Sequence, residues 1–251
     1  MRIRPLLVAL SLLLLPAACV GGETVGDSAA MAVRPGPPVL YVALGASETV
    51  GIGTDDPVRE AWPQLLYRSS MPRSAVFVNL GIPGATVADA LERELPQALE
   101  LRPDIVTVWL NVNDLIAGVP PATYEAGLQR LLTSLRRGGI ARVLVANTPP
   151  LDRLPAYLAC RPGAPVGGPP CLTDRVLPPA ERINELTAAY NDVIERVAGE
   201  AGAEVVDLHS AGMAARSQES GEVLISEDGF HPSAAGARVV ADAFARILSR
   251  D

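Results

Sequence analysis

The chain has 251 residues, 49% hydrophobic, 20% charged and 4% aromatic, enough for one or two globular domains. All 21 basic residues are Arg, which excludes a Walker phosphate lysine, a Schiff-base lysine and a Ser–Lys catalytic pair. Two His and three Cys cannot supply a three-His zinc site, an HExxH helix or paired CxxC knuckles, and a formal charge of −7 argues against nucleic-acid binding, which needs a basic face.

The chain begins MRIRPLLVALSLLLLPAA, followed by Cys19. Arg2 and Arg4, an apolar run from Leu6 to Leu15 and the small pair Ala17–Ala18 have the layout of a secretory signal peptide over residues 1–18. The run is too short to span a bilayer comfortably. A Cys directly after two small residues resembles a bacterial lipoprotein box, with Cys19 as the lipid attachment site. Pro16 stands where that box usually carries Leu, and the alternative is an ordinary signal peptide cut near Ala18. The expected location is the bacterial cell envelope, lipid-anchored on the outer side of the cytoplasmic membrane, or secreted. Residues 19–38 lack hydrophobic periodicity and are rich in small residues and Pro, which predicts a flexible linker to a domain spanning 39–251.

Five short apolar runs predict buried strands: VLYVAL (39–44), AVFVNL (75–80), DIVTVWL (104–110), ARVLVAN (141–147) and AEVVDL (203–208). They are nearly continuous in hydrophobicity, as strands covered on both faces are. Helical spacing of apolar residues appears over Pro57–Ser70, Val87–Leu99, Tyr124–Arg136, Pro178–Ala198 and Ser233–Leu248. This alternation predicts an α/β fold with a parallel sheet and helices on both faces. Ligands in such sheets bind beyond the carboxyl ends of the strands, so the loops there are the ones to inspect.

Gly45-Ala46-Ser47 follows the first run and places a serine where a nucleophile would be presented. It is neither GxSxG nor GxGxxG. Gly81, after the second run, lets a backbone N–H approach a ligand with no Cβ in the way. Asn111-Val112-Asn113-Asp114 follows the third run; its Asn amides can donate into the crevice, while Asp114 also suits a helix N-cap. Cys160 and Cys171 bracket a Pro/Gly stretch, and in an oxidising compartment a disulfide would close that loop, worth about 2–3 kcal/mol. Two free thiols are the alternative. Asp228 and His231 stand three apart around Gly229, a spacing that lets a carboxylate hold an imidazole tautomer. His209, close to Asp207, is the reserve histidine. Each motif alone is also compatible with an ordinary turn.

Taken in order, Gly45-Ala46-Ser47, Gly81, Asn113-Asp114 and Asp228–His231 resemble the blocks of the GDSL/SGNH hydrolase superfamily over residues 39–251. Trp62-Pro63 before an apolar helix is also familiar from that family. The resemblance implies a three-layer α/β/α, flavodoxin-like fold with a five-stranded parallel sheet. It implies a serine esterase acting on acyl or acetyl esters, with Ser47 as nucleophile, His231 as general base and acid, and Asp228 orienting His231. The implied oxyanion hole is the N–H groups of Ser47 and Gly81 with the Asn113 amide, and neither metal nor cofactor is implied. The implied partner is a small-molecule, lipid or glycan ester, with a monomer expected. Two residues depart from the pattern: Ala46 replaces the Asp of GDS, and Asn111 replaces the Gly of GxND, where it would either narrow the acyl pocket or add a polar contact. Those departures are what supports a competing reading, a non-catalytic surface binding lipoprotein, and the intact Ser47, Asp228 and His231 argue against it. The long loop from Leu151 to Leu177 is expected to form a wall or lid over the acyl site.

Overall fold

The computed structural model describes residues 38–164, 166–171, 173, 177–217 and 223–250. The expected signal peptide, Cys19 and nearly all of the linker lie outside the described residues. The five apolar runs form one parallel sheet of β1 (Leu40–Gly45), β2 (Val76–Asn79), β3 (Ile105–Trp109), β4 (Arg142–Ala146) and β5 (Glu204–Val206). The strand order is β2-β1-β3-β4-β5, the flavodoxin-like order, and it reverses direction between β1 and β3.

Side chains alternate across this sheet, so each strand feeds two cores. Val42, Leu44, Val106, Val108, Val143 and Val145 face one core, covered by residues 87–101 and the helices over 121–136 and 180–201. Tyr41, Ala43, Leu144, Ala146 and Val206 face the other, covered by helices over 62–70 and 234–248. Trp62 stacks on Phe244 with ring centroids 4.4 Å apart and meets Trp109 edge-on, which fastens these last two helices to β3.

The helices in chain order are α1 (Ser47–Val50), α2 (Pro57–Glu60), α3 (Trp62–Ser70), α4 (Val87–Asp89), α5 (Leu95–Leu101), α6 (Val112–Ala117), α7 (Pro121–Arg136), α8 (Pro155–Leu158), α9 (Ala180–Ala201), α10 (Leu208–Ser217) and α11 (Ala234–Leu248). Two expected helices are interrupted. Ala61 adopts extended backbone (φ −54°, ψ 136°) between α2 and α3, which lets Pro63 sit in a first turn rather than in a helix interior. Between α4 and α5 lies a π-turn, Ala90–Glu94, just before Pro96, a residue that has no N–H for an α-helical bond.

Candidate active site

Ser47 opens α1 directly after β1 and is 7% exposed. His231 reaches it from the loop before α11, with Nε2 2.9 Å from Ser47 Oγ and Nδ1 2.6 Å from Asp228 Oδ2. Gly229, at φ +76°, turns the chain between the Asp and the His. Asp228 Oδ1 accepts three further hydrogen bonds, from Ser226 Oγ at 2.8 Å and from the N–H groups of Phe230 and His231 at 2.8 and 2.9 Å. Partial burial opposes ionisation of Asp228, but the hydrogen bonds from His231, Phe230 and Ser226 outweigh it and hold the carboxyl down at about 2. A carboxylate thus fixes one ring nitrogen of His231 while the other faces the serine.

The reserve histidine is not part of this group. The His209 N–H is accepted by Asn147 Oδ1, and its Nδ1 lies 3.2 Å from the Thr148 carbonyl. Asp207 Oδ1 is occupied by Asn147 Nδ2 and the Ser210 N–H.

The loop after β2 corrects one expectation. The Gly81 N–H is donated to Asn79 Oδ1 at 3.0 Å, while Asn79 Nδ2 donates to the Thr49 carbonyl, so Gly81 is tied into the scaffold rather than free. Just beyond it, the Ala85 N–H returns to the Ile82 carbonyl with Pro83 and Gly84 between them. Gly84 has φ +78°, which is the type II turn that Pro-Gly prefers. The Gly84 N–H has no hydrogen-bond partner among the described residues, and open space lies above its Cα. Asn113 stands beside this turn, its Nδ2 donating one hydrogen to the Ala85 carbonyl at 2.9 Å. A second hydrogen remains on that amide.

Asp114 and Asn111 hold this side of the site together. Asp114 does not cap its own helix. Its carboxylate accepts the Val87 N–H at 3.0 Å and so pins the start of α4 to α6. Asn111 is 2% exposed and donates Nδ2 to the Ala146 carbonyl at 3.1 Å, a polar tie between the ends of β3 and β4. Of the two roles open to it, the polar contact is the one formed.

Two acids near the site, Glu48 and Glu94, carry no signal in the sequence, and a third, Asp114, stood out there only as a helix cap and as part of the Asn113-Asp114 block. Glu48 follows Ser47, with Oε2 3.4 Å from Ser47 Oγ, and burial pushes its carboxyl up to about 7. Burial likewise takes Glu94 to about 8 and Asp114 to about 6. No spacing pattern marks a single Glu as buried; in sequence Glu94 reads as part of a solvated helix face.

A cavity of about 490 Å³ opens beside His231, within the range of small-molecule sites. Glu48, Trp109, Leu154, Phe230 and Val240 contribute to its lining, which is mostly apolar. Leu151, Arg153 and Pro155 of the long loop also line it, and the Ala156 N–H is bound by the Gly229 carbonyl at 3.0 Å. A disulfide joins Cys160 and Cys171 within that loop.

Comparison with known proteins bears on the family and the fold. A model of the GDSL-like Lipase/Acylhydrolase family matches residues 43–239. An arylesterase of Vibrio mimicus is 28% identical over 105 residues, covering 41% of this chain; the match spans about half (52%) of that relative's length. The GDSL esterase/lipase CPRD49 of Arabidopsis thaliana is 25% identical over 188 residues, covering 70% of this chain and 67% of the relative. Among solved structures, TesA superposes with a TM-score of 0.61 at 22% identity, covering 84% of this chain and 98% of that one. A mutant of Axe2, an acetylxylan esterase from Geobacillus stearothermophilus, superposes with a TM-score of 0.62 at 18% identity, covering 86% and 97%. At these identities the structural likeness speaks to fold alone.

Proposed function

From the premise that this chain belongs to the GDSL-like Lipase/Acylhydrolase family, we propose that it is a serine esterase whose nucleophile is Ser47. The observation that carries this reading is the unbroken chain of contacts from Asp228 through His231 to Ser47, at 2.6 and 2.9 Å. In the proposed reaction His231 Nε2 takes the Ser47 proton as Oγ attacks the ester carbonyl. Asp228 stabilises the imidazolium that forms. The tetrahedral intermediate expels the alcohol, which receives the proton from His231, and leaves an acyl-Ser47. Water, deprotonated by the same imidazole, attacks the acyl group, and collapse releases the carboxylic acid and restores Ser47.

The oxyanion of each intermediate would be met by the Ser47 N–H, the second Asn113 Nδ2 hydrogen and the Gly84 N–H. Gly84 takes the place first expected for Gly81, whose N–H is already bound. The apolar cavity beside His231 would take the hydrophobic half of the ester, with the Leu151–Leu177 loop as its wall. Arylesterase and acetylxylan esterase relatives leave both aryl and acetyl esters open as substrates.

Turnover of p-nitrophenyl acetate and octanoate tests the reading. Wild type should hydrolyse at least one of them, and Ser47→Ala should abolish that activity in a folded protein. A folded wild type with no turnover would instead favour the binding-lipoprotein alternative. Export and lipidation form a separate proposal, resting on residues 1–19: mass spectrometry of the mature N-terminus should find a diacylglyceryl group on Cys19, and an unmodified Cys19 would refute the anchor.

A further inference from the structure

The nucleophile turn is held by a carboxyl that the ester chemistry does not use. Glu94 closes the π-turn and is 0% exposed. Its Oε2 accepts the Gly45 N–H at 2.9 Å, while Oε1 has no partner among the described residues. Gly45 is the last residue of β1, two before Ser47. Gly45 still pairs with Trp109 in the β1–β3 register, but the β1–β2 register ends at Ala43–Asn79, so on the β2 side the Gly45 N–H lies past the ladder and Glu94 is what satisfies it. The Gly45 carbonyl in turn accepts the Ile82 N–H at 2.9 Å, at the start of the Pro83–Gly84 turn. There is no slack at this point: a Cβ on Gly45 would lie 2.1 Å from Thr49 Oγ1 and 3.0 Å from the Trp109 carbonyl.

Building on the proposed nucleophile, we propose that Glu94 is a positioning residue that fixes the Gly45 peptide and, through it, both Ser47 and the Gly84 turn. Stability alone does not account for it. Burying a carboxyl with one oxygen unpartnered costs more than a single hydrogen bond returns, and an apolar side chain of similar length would fill the space more cheaply. What an apolar side chain cannot do is hold the Gly45 N–H. Burial also keeps the acid protonated in the neutral range, and proximity to Glu48 works in the same direction. Gln, neutral and isosteric, should therefore substitute for it.

The test compares wild type, Glu94→Gln and Glu94→Leu by p-nitrophenyl acetate kinetics, the rate of fluorophosphonate labelling at Ser47, and thermal melting. Glu94→Leu should lose about 10- to 100-fold in kcat and in labelling rate with KM within about 3-fold, the scale of a misplaced reacting group. Glu94→Gln should stay within about 3-fold of wild type. A folded Glu94→Leu with unchanged kcat, or a Gln variant that loses as much as Leu, overturns the proposal. If Glu94→Leu does not fold, Glu94→Met carries the same test. If neither apolar variant folds, the residue serves the fold rather than the nucleophile, and the proposal fails. A wild type that neither labels nor turns over would refute the esterase reading itself, a result distinct from all of these.

Discussion

The proposed oxyanion hole depends on one side chain's second hydrogen. One Nδ2 hydrogen of Asn113 anchors the amide to the Ala85 carbonyl, which leaves the other for the proposed role. Loss of a single oxyanion donor typically costs about 3–4 kcal/mol of transition-state stabilisation. Asn113→Ala should accordingly lower kcat at least about a hundredfold with little change in KM; a loss below tenfold in steady-state kinetics would remove Asn113 from the oxyanion hole. At this scale the sequence was informative where a residue type carries its own chemistry. Ser47, Asp228 and His231, which the structure brings within hydrogen-bond reach of one another, were legible only as a set: each alone also suits an ordinary turn, and it was their order along the chain that resembled a known family. Gly81 and Gly84 were not separable, since both follow β2 within a few residues. The choice between them depends on where the Asn79 side chain turns, and that is a tertiary fact.

Among the elements, β1, β3 and β4 were legible almost to the residue because their apolar runs are buried on both faces, whereas the expected run 203–208 shortens to β5 at Glu204–Val206 and the half-exposed β2 lies at the sheet edge. The expected run 104–110 is β3 at Ile105–Trp109, and 141–147 is β4 at Arg142–Ala146. Helix interruptions were less legible. Pro63 and Pro96 are visible in sequence, but whether the chain breaks, kinks or shifts to a π-turn is settled by packing against the sheet. The helix α10 was missed because HSAGMAARS carries too little apolar spacing to register, although its Ala211 and Gly212 line the cavity. The loop facing it makes two checkable claims. Replacing Cys160 and Cys171 with Ser should lower stability by about 2–3 kcal/mol, read as a lower urea midpoint with unchanged slope. Shortening the Leu151–Leu177 loop should change the ratio of acetate to octanoate turnover, and an unchanged chain-length profile would remove the loop from the acyl site.

For the whole molecule, three buried acids and Asp228 respond to pH with opposite signs. Glu48, Glu94 and Asp114 hold their protons more tightly folded than unfolded, with values of about 7, 8 and 6 against unfolded values of 4.5, 4.5 and 3.8. Their contribution to stability is complete below the unfolded values and is lost as pH rises through the folded ones. Asp228 has the opposite sign: its contribution is present above 3.8 and lost as pH falls toward 2. The melting temperature should therefore peak near about pH 4–5 and fall toward pH 8. Glu94→Gln should flatten that fall, and a melting temperature that rises steadily from pH 5 to 8 would contradict the assignment. Glu48 and Glu94 both touch the Gly45–Ser47 turn, so part of this pH dependence comes from the region on which the proposed chemistry rests.

The central claim is that Ser47 is an activated nucleophile. The most direct measurement is fluorophosphonate labelling of the folded protein at pH 7, followed by peptide mapping. A single adduct should form on the Ser47 peptide, at a rate that collapses in His231→Ala. No adduct on a folded wild type, or an adduct on another serine, would contradict it.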